Sequence, residues 1–458
     1  MKFNSLRLIL SILFVCLFIT LPACFIFDSP NAHIKKGGEY YDKNEFELAI
    51  KEYDRAIEVS PSAVYAYINR AFAYNQTGKY DSAIADCNRA IELDPKNALA
   101  YVARASAYNE LGQFENALAD CNKAISLDPK SAQAYINRAW ANNGLSYFDL
   151  AIEDCTRAIE IDPNLAIAYV NRAWAYNEKG RYVDQAIADC NKAIKLDPKL
   201  PLSYTNRAWA YIQTGRYDEA IADCNTALEL DPSMAMAYVN RAWANMEIGK
   251  HDDAIADCNK AIEINPDLAM AYVTRAWAYN EKEAYDDTRD YLKLAKEDCN
   301  FAIELNPRLA MAYNQRAWSY YIQKIYNLAV VDATKAIELS PEVALPYVTR
   351  ANTYIELREF DLAIDDCNTA LELNPEYATA YNTRARANYE AGKYEIALVD
   401  SNKAIEIEPH LALSYLTRGL IYNKLGNKSM AKDDWDTVIE ISNDPELIRT
   451  AKLYISQL

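Results

Sequence analysis

One phrase returns along this chain of 458 residues at an almost constant interval, and that recurrence limits the fold more than any other property. Prolines stand at positions 61, 95, 129, 163, 198, 232, 266, 307, 341, 375 and 409; eight of the ten steps between them are 34 residues, one is 35 and one is 41. A period of this length is one supersecondary unit, too small to bury its own apolar face, so neighbours must stack to make a continuous core. Each period reads as two helices. Proline and one or two small or polar residues open the first helix, and Gly78, Gly112, Gly180, Gly215, Gly249, Gly392 and Gly426 stop most of them. Ala83, Ala90 and their counterparts are small enough for the two helices to approach closely.

Within each period the residues that recur are, in the second one, Tyr67, Ala71, Tyr74, Gly78, Tyr80, Ala83, Cys87, Ala90 and Pro95. This pattern resembles the tetratricopeptide repeat (TPR). Two positions depart from it: Arg70 stands where an apolar residue is usual, and Cys87 where an aromatic is usual. The resemblance implies an all-α, right-handed superhelical solenoid of twelve helix pairs. Their limits are 30–63, 64–97, 98–131, 132–165, 166–200, 201–234, 235–268, 269–309, 310–343, 344–377, 378–411 and 412–444, with a capping helix at 445–458. Leu447, Ile448, Ala451, Tyr454, Ile455 and Leu458 give that last helix an apolar stripe. Repetition also accounts for the 35 tyrosines.

The segment before the repeats has a separate purpose. Lys2 and Arg7 precede an uncharged run, Leu8–Leu21, followed by Pro22-Ala23-Cys24. A basic start, an apolar core and a small residue before the cut form the layout of an export signal. With cysteine next, residues 21–24 resemble a bacterial lipobox, although Pro22 is unusual there. The resemblance implies a signal peptide over 1–23, acylation of Cys24, and a short linker over 24–29. Alternatively, residues 8–27 stay as a membrane anchor. Either way the repeats are expected outside the cytoplasm.

Taking the arginine of each first helix as origin, at about 100° per residue, divides its surface into faces. Tyrosines at −3 and +4 and alanine at +1 share the face toward the partner helix. Alanines at −4 and +3 suit the neighbouring repeat. A third stripe, which solvent would make polar, is apolar. Position +2 reads Phe72, Ser106, Trp140, Trp174, Trp209, Trp243, Trp277, Trp318, Asn352, Arg386 and Leu420. Position −2 includes Val170, Val239 and Val273, and position −5 includes Met236 and Met270. At −1 stand Asn137, Asn171, Asn206 and Asn240, whose amides can donate to and accept from an extended peptide. The resemblance implies that these residues line a concave peptide-binding groove; the competing expectation is that the indoles pack between first helices and the asparagines bond the adjacent helix. Glu110, Glu178, Glu247, Glu281, Glu356 and Glu390 stand near the helix ends, where they either rim the groove or are simply solvated. Valine and tryptophan occupy the positions at which carboxylate-clamp members of the family carry Lys, Arg and Asn, so a clamp is not expected.

Chemistry other than binding has little to work with. The charge of −17 repels phosphate backbones, and the chain has only three histidines, His33, His251 and His410. No catalytic residue, metal site or cofactor is expected, and an enzyme domain has no segment to occupy. Eleven arginines, Arg70 to Arg418, each precede an aspartate, Asp86 to Asp434, usually by 16 residues, which suggests one ion pair per helix pair. Cys87, Cys121, Cys155, Cys190, Cys224, Cys258, Cys299 and Cys367 share one slot, and stacked repeats hold such sites roughly 10 Å apart, too far for disulfides. They are expected as buried free thiols. Seven extra residues in the eighth repeat, about two turns, are expected to lengthen both its helices by one turn each. The partners expected are protein or peptide segments and the membrane, with self-association as the alternative function.

Overall fold

The computed structural model describes residues 29–282 and 290–458, and among them are twenty-five α-helices and no strand. The segment carrying Cys24 lies outside the described residues. No helix among them is long and apolar enough to cross a membrane. The helices form two compact stacks, one ending at Thr214 and the other beginning at Gly215.

In both stacks the period becomes a helix pair by the same local steps. The repeat-2 pair is Val64–Gln76 and Tyr80–Leu93. Gly78 separates them at φ +72, where a side chain would be strained. Repeats without glycine at that place still adopt the conformation, at Asn44, Ser146, Lys324 and Arg358. Asp94, before Pro95, turns the chain by accepting from the Lys96 amide, and the hydroxyl of Tyr101 donates to the Pro95 carbonyl at 3.1 Å. Within each stack, a first helix packs on its own second helix, and a second helix on the next first helix. First helices also pack side by side.

The core is built from small residues. Ala71, Ala83, Cys87, Ala103 and Ala107 form one buried cluster shared by two repeats. Among the described residues eight cysteines are free and buried in this way, and burial pushes the thiols of Cys87, Cys121 and Cys155 well above the usual range.

Arginine does more than the spacing suggests. Ten of the expected Arg–Asp pairs close at 2.6–2.7 Å. The remaining guanidinium nitrogen reaches back to the preceding repeat: Arg104 Nη1 donates to Asn88 at 2.5 Å and Arg316 Nη1 to Asn300 at 2.6 Å. One planar fork therefore joins three helices from two repeats. The hydrogen bond to Asp120 holds Arg104 above the ordinary guanidinium range despite its burial. Repeat 1 has the same device in other residues. Lys36 and Glu52 occupy the Arg and Asp slots and meet at 2.9 Å, with Arg55 and His33 also on the buried Glu52 carboxylate.

Terminal repeats differ in the core slot. Tyr53 and Trp435 replace cysteine, and Gly37 and Gly419 replace the facing alanine. A Cβ on Gly37 would lie 2.4 Å from Tyr53, and one on Gly419 2.3 Å from Trp435. Both aromatics are almost fully buried. The helix Pro445–Ser456, capped by Asp444, then lays Leu447, Ala451, Tyr454 and Ile455 over Trp435.

The second helix of repeat 8 departs from the expected lengthening. Tyr291–Leu305 has 15 residues against 14 in its counterparts, because Asp290 caps it by accepting from the Lys293 amide. Residues 283–289, which hold most of the insertion, lie outside the described residues.

Candidate protein-binding groove

The apolar stripe of the first helices resolves into two kinds of position. At −2, Val170, Val239 and Val273 are no more than 2% exposed, each packed against alanines of adjoining helices. These valines belong to the joint between neighbouring first helices, and a ligand cannot reach them. Position −1 also serves that joint. Asn137 Nδ2 donates to the Val102 carbonyl of the preceding repeat at 3.0 Å, while its Oδ1 accepts from Gln133. Asn206 Nδ2 donates to the Val170 carbonyl at 3.1 Å. Asn171 and Asn240 are buried as well. Asn137 and Asn206 are therefore turned toward the preceding first helix, as the competing expectation had it, while Asn171 Nδ2 is buried with no hydrogen-bond partner among the described residues.

A second asparagine ladder, at +5, was not singled out by sequence. Asn75, Asn109, Asn143 and Asn177 donate to the −1 carbonyl of the following repeat at 2.8–3.0 Å. The signal was available, since asparagine recurs at that place in Asn75, Asn109, Asn143, Asn177 and Asn280.

Positions +2, −5 and +6 remain for the open surface. Trp140, Trp174, Trp209, Trp243, Trp277 and Trp318 are all half-buried, neither sealed nor fully open. Met236 is exposed and Met270 half-buried, packing beside Val239. In the N-terminal stack, Glu178 lies one turn beyond Trp174. The surrounding wall pushes its carboxyl above the usual range, opposed by a hydrogen bond from the indole.

In the C-terminal stack these positions converge. Trp243, Trp277 and Trp318 line one cavity of about 440 Å³ with Glu247, Glu281 and Met311. Trp243 and Trp277 meet edge to face, 5.3 Å between ring centroids, and Trp318 stacks on Tyr321 at 4.9 Å. Burial raises Glu281, opposed by a hydrogen bond from Trp277, with Glu247 and Asp444 adding repulsion. Water reaches Glu247, yet the wall around it removes enough solvent to raise its carboxyl too; Tyr217 donates to it at 3.2 Å. Tyr377, on the opposite side of the cavity, is pushed up to about 12 by burial and by the charges of Glu247 and Glu408. Glu247 of repeat 7 thus acts electrostatically on Tyr377, at the end of repeat 10, across the cavity.

Two further lining residues escaped the sequence-based assignment. Asn314 stands at −2, where neighbouring repeats hold valine, and is 2% exposed. Its Oδ1 has no hydrogen-bond partner among the described residues. Tyr377 comes from the turn after Pro375. Arg386, at +2 two repeats beyond Trp318, is held by Glu356 and by Tyr321, so that cation is already engaged.

Comparison with known proteins places this architecture. Profiles described as tetratricopeptide repeat or TPR repeat match residues 37–78, 64–97, 98–131, 132–165, 155–187, 205–269 and 344–377, together more than half of the chain. No curated protein matches it in sequence. Among solved structures, the APC/C hetero-tetramer Cut9–Hcn1 is similar in fold, with 14% identity and a TM-score of 0.55 over 94% of this chain and 97% of that one. Yeast Tom70 aligns at 17% identity and a TM-score of 0.41, covering 93% and 96% of the two chains. A tetratricopeptide repeat protein from Parabacteroides merdae aligns at 22% and 0.43 over 54% of this chain and 98% of that one. On its repeats and its helix-pair architecture, this chain belongs to the tetratricopeptide repeat family.

Proposed function

We propose that the chain is a non-catalytic scaffold that holds a segment of another protein against its tryptophan-bearing surface and so assembles a complex. The N-terminal segment exports it and keeps it at the membrane, through an acylated Cys24 or through residues 8–27 as an anchor. The observation that carries the binding role is the cavity framed by Trp243, Trp277 and Trp318. Helix cohesion is already supplied by the alanine–cysteine core, the buried valines and two asparagine ladders, and this leaves three indoles half-open in a concavity.

A photoreactive residue in place of Leu345, at the cavity rim, provides the test in membranes of the source cell. The expected result is one dominant adduct with a foreign protein segment, lost in a Trp277→Ala background. Adducts that survive Trp277→Ala refute the groove. Adducts only with further copies of this chain, together with a light-scattering mass above the monomer, favour the self-associating alternative. For the anchor, palmitate labelling that persists in Cys24→Ala refutes acylation there.

A further inference from the structure

The groove reading leaves the chemistry of the bound segment open, and the cavity's own composition narrows it. Its walls are three indole faces, its acids are Glu247 and Glu281, and none of the residues that line it is a lysine, arginine or histidine. A carboxylate left in a concave apolar wall without a cation attracts one, and indole is the aromatic surface that best accommodates a cation. Independently of the acids, the buried Asn314 carries an unpartnered acceptor, Oδ1, on a residue of the same wall. An acceptor, two carboxylates and three electron-rich rings all favour a donor that bears positive charge. Arg386, the cation two repeats further on, is kept away by Glu356 and Tyr321.

Resting on the groove reading, we propose that this cavity receives the guanidinium or ammonium head of an arginine or lysine side chain projecting from the bound segment. Its aliphatic stem lies against Met311 and Leu345, and its head meets Trp243, Trp277 and the two carboxylates. An apolar anchor such as leucine would leave both acids facing it without a cation, so the cavity selects against a purely hydrophobic segment.

The full chain is titrated with n-butylguanidinium and with its neutral analogue n-butylurea, following the indole N–H resonances of Trp243, Trp277 and Trp318. The cation is expected to shift those resonances and to bind about tenfold or more tightly than the urea, one charge-pair's worth of discrimination. The double variant Glu247→Gln, Glu281→Gln, which keeps shape and hydrogen bonding, is expected to erase that preference while the helical content stays unchanged. Equal binding of cation and urea overturns the proposal, as does a preference that survives in the double variant. Failure here with capture at Leu345 intact would remove the cationic anchor and leave the groove. A cation response without any captured segment would remove the groove reading and leave the cavity as a cation site.

Discussion

At the C-terminal end of the stack, a single added methyl group distinguishes a close-fitted pair from ordinary helix packing. Gly419 lies in the middle of the helix Ala412–Lys424, where alanine would ordinarily stabilise by about 1 kcal/mol. Here the new Cβ would come 2.3 Å from Trp435 Nε1, with two more ring atoms within 2.8 Å. Trp435 is 1% exposed, its indole donates to the Leu416 carbonyl at 3.3 Å, and Tyr454 packs on it at 5.2 Å, so the ring has nowhere to move. Overpacking of this kind costs about 1–3 kcal/mol, and displacing the indole hydrogen bond about 1 kcal/mol more. Gly419→Ala should therefore destabilise by about 1–3 kcal/mol net of the helix gain. Trp435→Cys, which leaves a void, should cost about 3–5 kcal/mol. In that background the same Gly419→Ala change should become favourable, because it restores the alanine–cysteine pair of the interior repeats. Hydrogen exchange of amides in Ala412–Lys424 and Lys428–Ile441 is the assay, since a repeat array can open from its end without unfolding throughout. Gly38, with nothing within 4 Å of its would-be Cβ, is the control: Gly38→Ala should stabilise its own helix. If Gly419→Ala is neutral or stabilising in the wild-type background, the close-fit argument is wrong.

Other positions lead to equally direct expectations. Arg316→Met removes the fork from a buried Asp332 and from Asn300, and urea titration should show a loss of about 3–5 kcal/mol, whereas Arg308→Met, on an exposed turn, should change little. Asn314→Val replaces an unpartnered buried amide oxygen with the residue its neighbours use, and should raise stability by about 1–3 kcal/mol in the same titration. Glu281 has a folded-state pKa above its unfolded value, so the folded form holds its proton more tightly. Stability should fall as pH rises from the ordinary carboxylate range through the raised pKa, and Glu281→Gln should flatten that slope.

The period, the helix limits, the Arg–Asp pairing and the buried thiols were legible because each follows from one residue type repeated at a fixed place. The groove was legible only in part. A wheel drawn on one helix shows which faces are apolar but not how many neighbours that helix has. First helices here touch their own partner and other first helices, so Val170, Val239 and Val273 at −2 and Asn137 at −1, apolar or amide-bearing as a groove would be, are consumed by packing, whereas Asn314, Gln315, Val348 and Thr349 at the same positions of repeats 9 and 10 line the cavity. Position +2 lies beyond that joint, which is why the tryptophans stay half-open while Val239 and Val273 are sealed. The cavity itself could not be read from the period. It depends on Tyr377, a residue of a later repeat that the stacking of the C-terminal helices brings near Glu247. Exceptions to the repeat were the better guide. Asn314, where both adjacent repeats hold valine, and Gly419 with Trp435, where alanine and cysteine recur, both stand out against the repeated pattern.

If the tryptophans bind a segment as proposed, the indole row is surplus to the cohesion of the helix stack. Paired measurements on Trp277→Ala test it most directly: the affinity for the segment captured at Leu345, and the free energy of unfolding. The account predicts at least a tenfold weaker affinity, about 1.4 kcal/mol, with a stability loss smaller than that of the sealed Val273→Ala. A variant that binds as before but unfolds more easily by about 3–5 kcal/mol would contradict it, and would make the tryptophans part of the core.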